Sequence, residues 1–260
     1  LILLEEKCPM KNSFTVKQYV SFASVIFMLT VWKLLAIYFD SGFILPPPEK
    51  TIITTLALFA DPGFLLNIGT TIIRALAGFA LSFVLGIGAG ILAGLNPYFN
   101  AFLKPLLVTI RSTPIIALIL LALIWLSPGS LPVFIALLTM FPFICTNVTD
   151  GIKSVDNELV EMALFYKTGW KRIVRDVYIP AIMPFIISGA SSAMGIGWRA
   201  IITGEVLSQP KYGIGTLMQN AQTFLNVDAV IAWTIVAVVI SYGFEKIIRW
   251  SERKLILWRY

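Results

Sequence analysis

Histidine is absent from the chain. That removes imidazole proton relays, histidine-based catalytic triads and histidine-liganded metal sites. Cysteine is nearly absent: Cys8 and Cys145 lie far apart and form neither a disulfide framework nor a metal-ligand pattern. Charge is scarce too, at 13% of 260 residues, against about a quarter in soluble domains. Nor does the chain hold a glycine loop followed by Lys-Ser or Lys-Thr, the cradle that nucleotide phosphates require.

What fills the chain instead is apolar: 58% of residues are hydrophobic. Several runs reach the roughly 20 apolar residues that cross a bilayer. The fold class is therefore an all-α polytopic membrane protein with about six transmembrane helices. The net charge of +6 does not point to nucleic acid, because the basic residues flank apolar spans, where membrane topology accounts for them.

The chain begins at Leu1, with Met10-Lys11 as an alternative start. Residues 1–18 read as a basic N-terminal segment, and 19–260 as a single membrane domain. The first span is Tyr19–Phe39, a retained anchor rather than a signal peptide, since it is too long and no cleavage site follows. Leu45-Pro46-Pro47-Pro48 is stiff and extended. Residues 49–66 read as a short interfacial helix and a turn. The second span is Ile68–Leu95, whose Gly86, Gly90 and Gly94 let another helix of the same subunit approach closely. A third span is expected over Ser112–Leu126, flanked by Lys104 and Arg111. The fourth is Leu131–Val148 with a kink at Pro142, the fifth Ile179–Leu207 and the sixth Val227–Phe244. The tail from Glu245 is basic and amphipathic, with Trp250 and Trp258 suited to an interface. With a cytoplasmic N-terminus, fifteen Lys and Arg residues fall on inner segments and two, Lys50 and Lys211, outside.

Polarity changes abruptly within 150–207. Asp156, Glu158, Glu161, Lys167, Lys171, Arg172, Arg175 and Asp176 crowd the first part, whereas Ile179–Ile202 carries only Arg199. The segment 150–178 is expected to form two short cytoplasmic helices. The first has Leu159, Val160, Met162 and Ala163 on one side and acidic residues at its start. The second, Trp170–Val177, exposes Lys171, Arg172 and Arg175. Gly169 should make the turn between them, and Pro180 should open the fifth span. A plain cytoplasmic loop would need neither the acidic start nor the apolar side.

Glu161-Met162-Ala163 with Pro180 nineteen residues later resembles the EAA motif of ATP-binding-cassette importer permeases. The resemblance extends through Val155-Asp156 and Glu158, then Ala181, Pro184, Gly189, Ala193, Gly195, Glu205 and Leu207. Leu45-Pro46, Arg74 with Gly78-Phe79, Arg111 with Pro114, and Gly213-Ile214-Gly215 resemble the nitrate, sulfonate, taurine and bicarbonate branch. The ordered set covers the chain from about residue 45 onward. It implies coupling helices at 150–178 that dock on a cytoplasmic ABC ATPase dimer, with Glu158, Glu161, Ala163, Lys167, Gly169 and Pro180 as coupling residues. It also implies a homodimer in the bacterial cytoplasmic (inner) membrane, an extracytoplasmic substrate-binding protein, and no enzymatic activity in this chain. No cofactor is implied here; ATP with magnesium would sit on the partner ATPase. The family's glycine lies six residues after its glutamate, where this sequence has Lys167. The turn is therefore expected to shift to Gly169, and the ATPase to be dedicated to this permease.

Ionisable residues inside a bilayer cost several kcal/mol unless paired or hydrated. Lys33 lies toward the outer end of its span, where it can snorkel in a structural role, and Arg74 near the outer end of its own, where anchoring at the headgroups is a further reading. Arg199 and Glu205, six residues apart, point to different faces of one helix. Glu205 can reach Arg74. Two readings stay open for Arg199, Glu205 and Arg74: an ion pair holding the bundle, or residues that line or gate a translocation pathway. The function expected is the membrane subunit of an ATP-driven importer for a small polar or anionic solute. The alternatives are a stand-alone secondary transporter or channel, which would show inverted repeats, and a membrane enzyme, which the scattered acids do not support.

Overall fold

The computed structural model describes residues 13–255 except 40, 41 and 43. The N-terminal Lys7, Cys8, Met10 and Lys11, and Trp258 and Arg259 of the tail, lie outside the described residues. The described chain is helical: α1 (Ser13–Phe39), α2 (Pro48–Leu58), α3 (Phe64–Leu95), α4 (Pro97–Ser112), α5 (Ile115–Ala122), α6 (Leu131–Lys153), α7 (Asn157–Phe165), α8 (Trp170–Ile173), α9 (Ile179–Ser208), α10 (Ile214–Thr223) and α11 (Val227–Leu255). A π-helical turn, Val174–Tyr178, joins α8 to α9. Five of these stretches are long and apolar enough to cross a bilayer, and α4 with α5, bent by 96°, makes a sixth if the pair is one span.

The core is the trio α3, α6 and α9. Along α3 a small residue recurs every fourth position. A Cβ added at Gly78 would stand 2.5 Å from Ala136, at Gly86 2.8 Å from Ile144, at Gly90 2.7 Å from Val148, and at Gly94 2.6 Å from Ile152. The partner advances in step, so α3 and α6 run parallel with one four-residue ridge seated on the other. The glycine stripe is thus spent on packing within this chain. On its other side α6 meets α9 running the opposite way: Gly189 faces Asn147, and Gly197 faces Met140.

The third span departs from the expected straight helix over 112–126. Thr113 and Pro114 are extended (ψ 129 and 130), and the chain turns there. Pro114 has no N–H to offer and holds Thr113 out of the helical region. The residues before it form α4, capped by Asn96, whose side chain accepts from Tyr98 N and Phe99 N at 2.9 and 3.2 Å. Arg111 packs on the fourth span. Its guanidinium lies 5.0 Å from the Phe143 ring centroid, about 18 Å along α6 from that helix's start.

Near the expected outer side, two ion pairs tie α2 to its neighbours. Lys33 pairs with Glu49, and Lys50 with Asp228 at 2.5 Å. The hydrogen bond from Lys33 holds the Glu49 carboxyl below the usual carboxylate range. Lys33 therefore has an acidic partner as well as a path to the interface. The sixth span also runs longer than expected, since α11 continues to Leu255.

Candidate functional site

Two polar regions bracket the core. The outer one gathers around Glu205, whose side chain is fully buried. Arg74 Nη1 donates to Glu205 Oε1 at 2.6 Å and to the Tyr212 carbonyl at 2.7 Å. The Thr71 hydroxyl lies 3.0 and 2.9 Å from the two carboxylate oxygens and accepts from Ile214 N at 2.9 Å. Gly215 N donates to Glu205 Oε2 at 3.0 Å, and Gly213 N to Asn67 Oδ1 at 2.9 Å. A buried carboxylate is costly unless paired and hydrogen-bonded, and this one is both. Of the two open readings for Arg74 and Glu205, the geometry is that of an internal ion pair.

The same cluster accounts for the Gly213-Ile214-Gly215 motif. Gly213 has φ +154, a backbone that L side chains rarely adopt, and a Cβ there would stand 2.6 Å from the Glu205 carboxyl carbon. At Gly215 a Cβ would stand 2.5 Å from the Ile202 carbonyl oxygen. Glycine at both positions brings the backbone close enough to donate. Thr71 and Asn67 were not anticipated as partners. Their signal was spacing, since Asn67, Thr71 and Arg74 recur at the four- and three-residue steps of one helix face.

The inner region comprises α7, the turn after it, and α8. Asp156 caps α7, its side chain accepting from Glu158 N at 2.8 Å. No residue of α7 is buried. Leu159, Met162, Leu164 and Phe165 are exposed, Phe165 at 83% of its surface. Glu158 and Glu161 are exposed and Ala163 is half-buried.

The turn after α7 corrects the sequence expectation. Lys167, six residues after Glu161, takes the left-handed conformation with φ 54. Thr168 N donates to Ala163 O at 3.0 Å, and Lys167 N to Leu164 O at 2.8 Å. This is the Schellman pattern of helix termination, with lysine where glycine is usual. Gly169 is extended (φ −63, ψ 143) and caps α8 instead. The turn has therefore not moved, and its shape gives no ground for a dedicated ATPase.

Pro180 is corrected as well. It does not begin a separate span, because α8, the π turn and α9 form one helical stretch, Trp170–Ser208. Proline cannot donate to the preceding turn, and the wider π turn just before it accommodates the missing bond. Ile173 is buried and anchors the start of this stretch. Arg199 lies exposed on α9, on a different side from Glu205, and pairs with no acid among the described residues.

Comparison with known proteins agrees with this architecture. Residues 86–257 match the family model described as "Binding-protein-dependent transport system inner membrane component". The chain is 31% identical over 236 residues to a putative ABC transporter permease protein of Methanocaldococcus jannaschii, covering 89% of this chain and 88% of the relative. It is 28% identical to a putative aliphatic sulfonates transport permease protein of Bacillus subtilis, over 89% of this chain and 84% of that protein. The fold resembles that of a chain in the inward-facing MetNI methionine ABC transporter, with a TM-score of 0.60 over 74% of this chain and 94% of that one, at 15% identity. The all-helical fold is thus shared with a known ABC transporter chain, and this chain belongs to the family of inner membrane components of binding-protein-dependent ABC transport systems.

Proposed function

We propose that this chain is one half of a homodimeric importer channel, driven by a separate cytoplasmic ATPase dimer that carries ATP and magnesium, and supplied by an extracytoplasmic binding protein. The observation that carries the reading is α7: a capped helix whose apolar side chains are left uncovered by the rest of the chain. An apolar helix face presented to water is an incomplete interface. Glu158, Glu161, Ala163, Lys167 and Gly169 form this docking element, and Pro180 belongs to the helix that carries its motion. Closure of the ATPases on ATP would displace α7, and the unbroken stretch Trp170–Ser208 would act as a lever into the fifth span. Transport follows only if the inward-open and outward-open states bind ATPase and solute with different free energies.

The substrate class we infer is a small oxyanion such as an alkyl sulfonate, in keeping with the Bacillus subtilis relative. The test is reconstitution in proteoliposomes. Uptake should require ATPase, ATP and binding protein together. Uptake by the permease alone would overturn the reading in favour of a secondary transporter or channel.

A further inference from the structure

Two adjoining cavities of about 390 and 500 Å³ lie between α9 and α11, and both are lined by Trp198, Arg199, Ser241 and Glu245. Ser192 completes the first and Thr203 the second. Three features set this groove apart from ordinary helix packing. The first is charge. Glu245 is engaged by Arg249 at 2.5 Å, so Arg199 is the one uncompensated charge among the described residues of the lining. An unpaired guanidinium within a span persists only where water or a ligand reaches it.

The second feature is free hydroxyls. On these helices Thr203, Ser208 and Thr234 return their proton to a backbone carbonyl one turn back, Thr203 to Arg199 O at 2.9 Å and Thr234 to Val230 O at 2.8 Å. The hydroxyls of Ser192 and Ser241 line the groove and make no hydrogen bond among the described residues. Their donors remain open to a ligand. The third is depth. Arg199 lies nine residues before the end of α9 at Ser208, about 13 Å along the helix. That is below the level at which a lipid headgroup would meet it.

We propose that Arg199, with the Ser192 and Ser241 hydroxyls, forms an oxyanion-binding station inside the membrane: a transient site for a sulfonate-, carboxylate- or bicarbonate-like group in passage. A guanidinium presents paired N–H donors to such a group, and the hydroxyls offer two more. Trp198 forms a wall of the groove. Its indole N–H is already committed to Ala237 O at 3.1 Å, so it contributes surface rather than a donor. One station with one net positive charge can be entered and left, as a site on a pathway must be. This inference rests on the importer reading and assigns the solute's chemistry within it.

The test uses the complete importer, with its ATPase and binding protein, in phosphatidylcholine nanodiscs for binding and in phosphatidylcholine proteoliposomes for uptake. Ethanesulfonate, taurine and bicarbonate are titrated separately into wild type, Arg199→Gln and Arg199→Lys. At least one probe should bind the wild-type complex saturably and beyond what the isolated binding protein accounts for. Arg199→Gln should lower that affinity by about tenfold or more, as the loss of a charge-assisted contact implies, and Arg199→Lys should keep part of it. Ser192→Ala with Ser241→Ala should weaken it further. The yield of assembled complex should stay unchanged, which separates a ligand site from a strut. No saturable binding by any probe overturns the station. So does a loss of assembly in proportion to the loss of uptake. Displacement of the probe by added phosphatidylglycerol, with uptake insensitive to Arg199→Gln, would assign the groove to lipid and also overturn it. If binding fails while ATPase stimulation by the binding protein persists, the importer reading stands and only the station falls.

Discussion

The outer cluster and the inner platform are both polar breaks in an apolar bundle, yet they are built in opposite ways. Around Glu205 a buried carboxylate is met by Arg74, Thr71 and the Gly215 N–H, all within 3.0 Å. Around α7 a capped helix has no fully buried residue and exposes Leu159, Met162 and Phe165. The first region is complete within one chain; the second leaves apolar side chains uncovered. A region that satisfies itself should fail when altered, whereas one that awaits a partner should tolerate change in isolation and fail only in company.

The largest effect is expected at Glu205. Glu205→Ala leaves Arg74 buried without its counter-charge, which costs about 3–5 kcal/mol. It should appear as a marked fall in the unfolding midpoint of the purified chain. Arg74→Ala should cost a similar amount, and the double variant much less than the sum, because the second substitution removes the orphaned charge. Additive costs would break the claim that these residues form one unit. Next comes Gly213→Ala. Its Cβ would meet the carboxyl carbon at 2.6 Å in a backbone that alanine resists, at a cost of about 1–3 kcal/mol in the same measurement.

Smaller effects are expected on the platform. Asp156→Ala removes the N-cap of α7 and should cost about 1 kcal/mol of local helix stability, read as faster amide exchange at Glu158 and Leu159. Lys167→Gly should act in the opposite direction. A non-glycine residue in the left-handed region is strained by about 1–2 kcal/mol, of which the greater freedom of glycine in the unfolded chain offsets part. The turn should tighten by about 0.5–1 kcal/mol. Slower exchange at Thr168 N–H, which bonds Ala163 O, would register it. Faster exchange in the variant Gly169→Ala would instead point to a backbone at 169 that alanine resists, against its φ of −63 and ψ of 143.

Much of this was legible in the sequence because bilayer physics leaves few options. The long apolar runs mark the spans, and the glycines of α3 mark a close helix contact that proves to be internal. Asp156 reads as a cap because short acidic side chains serve helix N-termini. The pairing of Glu205 with Arg74 was available as a matter of depth, though not the glycine backbone that completes it. What sequence could not supply were bends and conformations fixed by neighbours. The stretch between the second and third spans, which carries Pro105, is given no helix by the sequence, yet Asn96 caps a full helix there. Lys167 reads as a departure from a glycine pattern, yet the hydrogen bonds to Ala163 and Leu164 hold it in the conformation glycine would take. In both cases a local preference, for proline or for lysine, is overruled by bonds made across several residues.

The smallest expected effect on stability is the sharpest test of the contrast. Leu159 and Phe165 are exposed on α7 at 46% and 83%. Replacing Leu159 by Glu, or Phe165 by Ser, removes no buried contact and leaves no polar group unsatisfied. The unfolding midpoint of the chain alone should shift by no more than about 0.5 kcal/mol equivalent. In the assembled transporter the same substitutions place a charge or a vacancy where an apolar contact is expected, and a few such contacts carry most of an interface's binding energy. Co-purification with the ATPase should fall, and the stimulation of ATP hydrolysis by the loaded binding protein should fall with it. The substitutions at Glu205 should behave the other way round, weakening the isolated chain first and the assembly only as a consequence. If Leu159→Glu destabilises the isolated chain as Glu205→Ala does, α7 is packed within the chain and the contrast collapses. If it leaves both stability and ATPase association untouched, the uncovered face of α7 is not the docking surface, and the lever into the fifth span loses its handle.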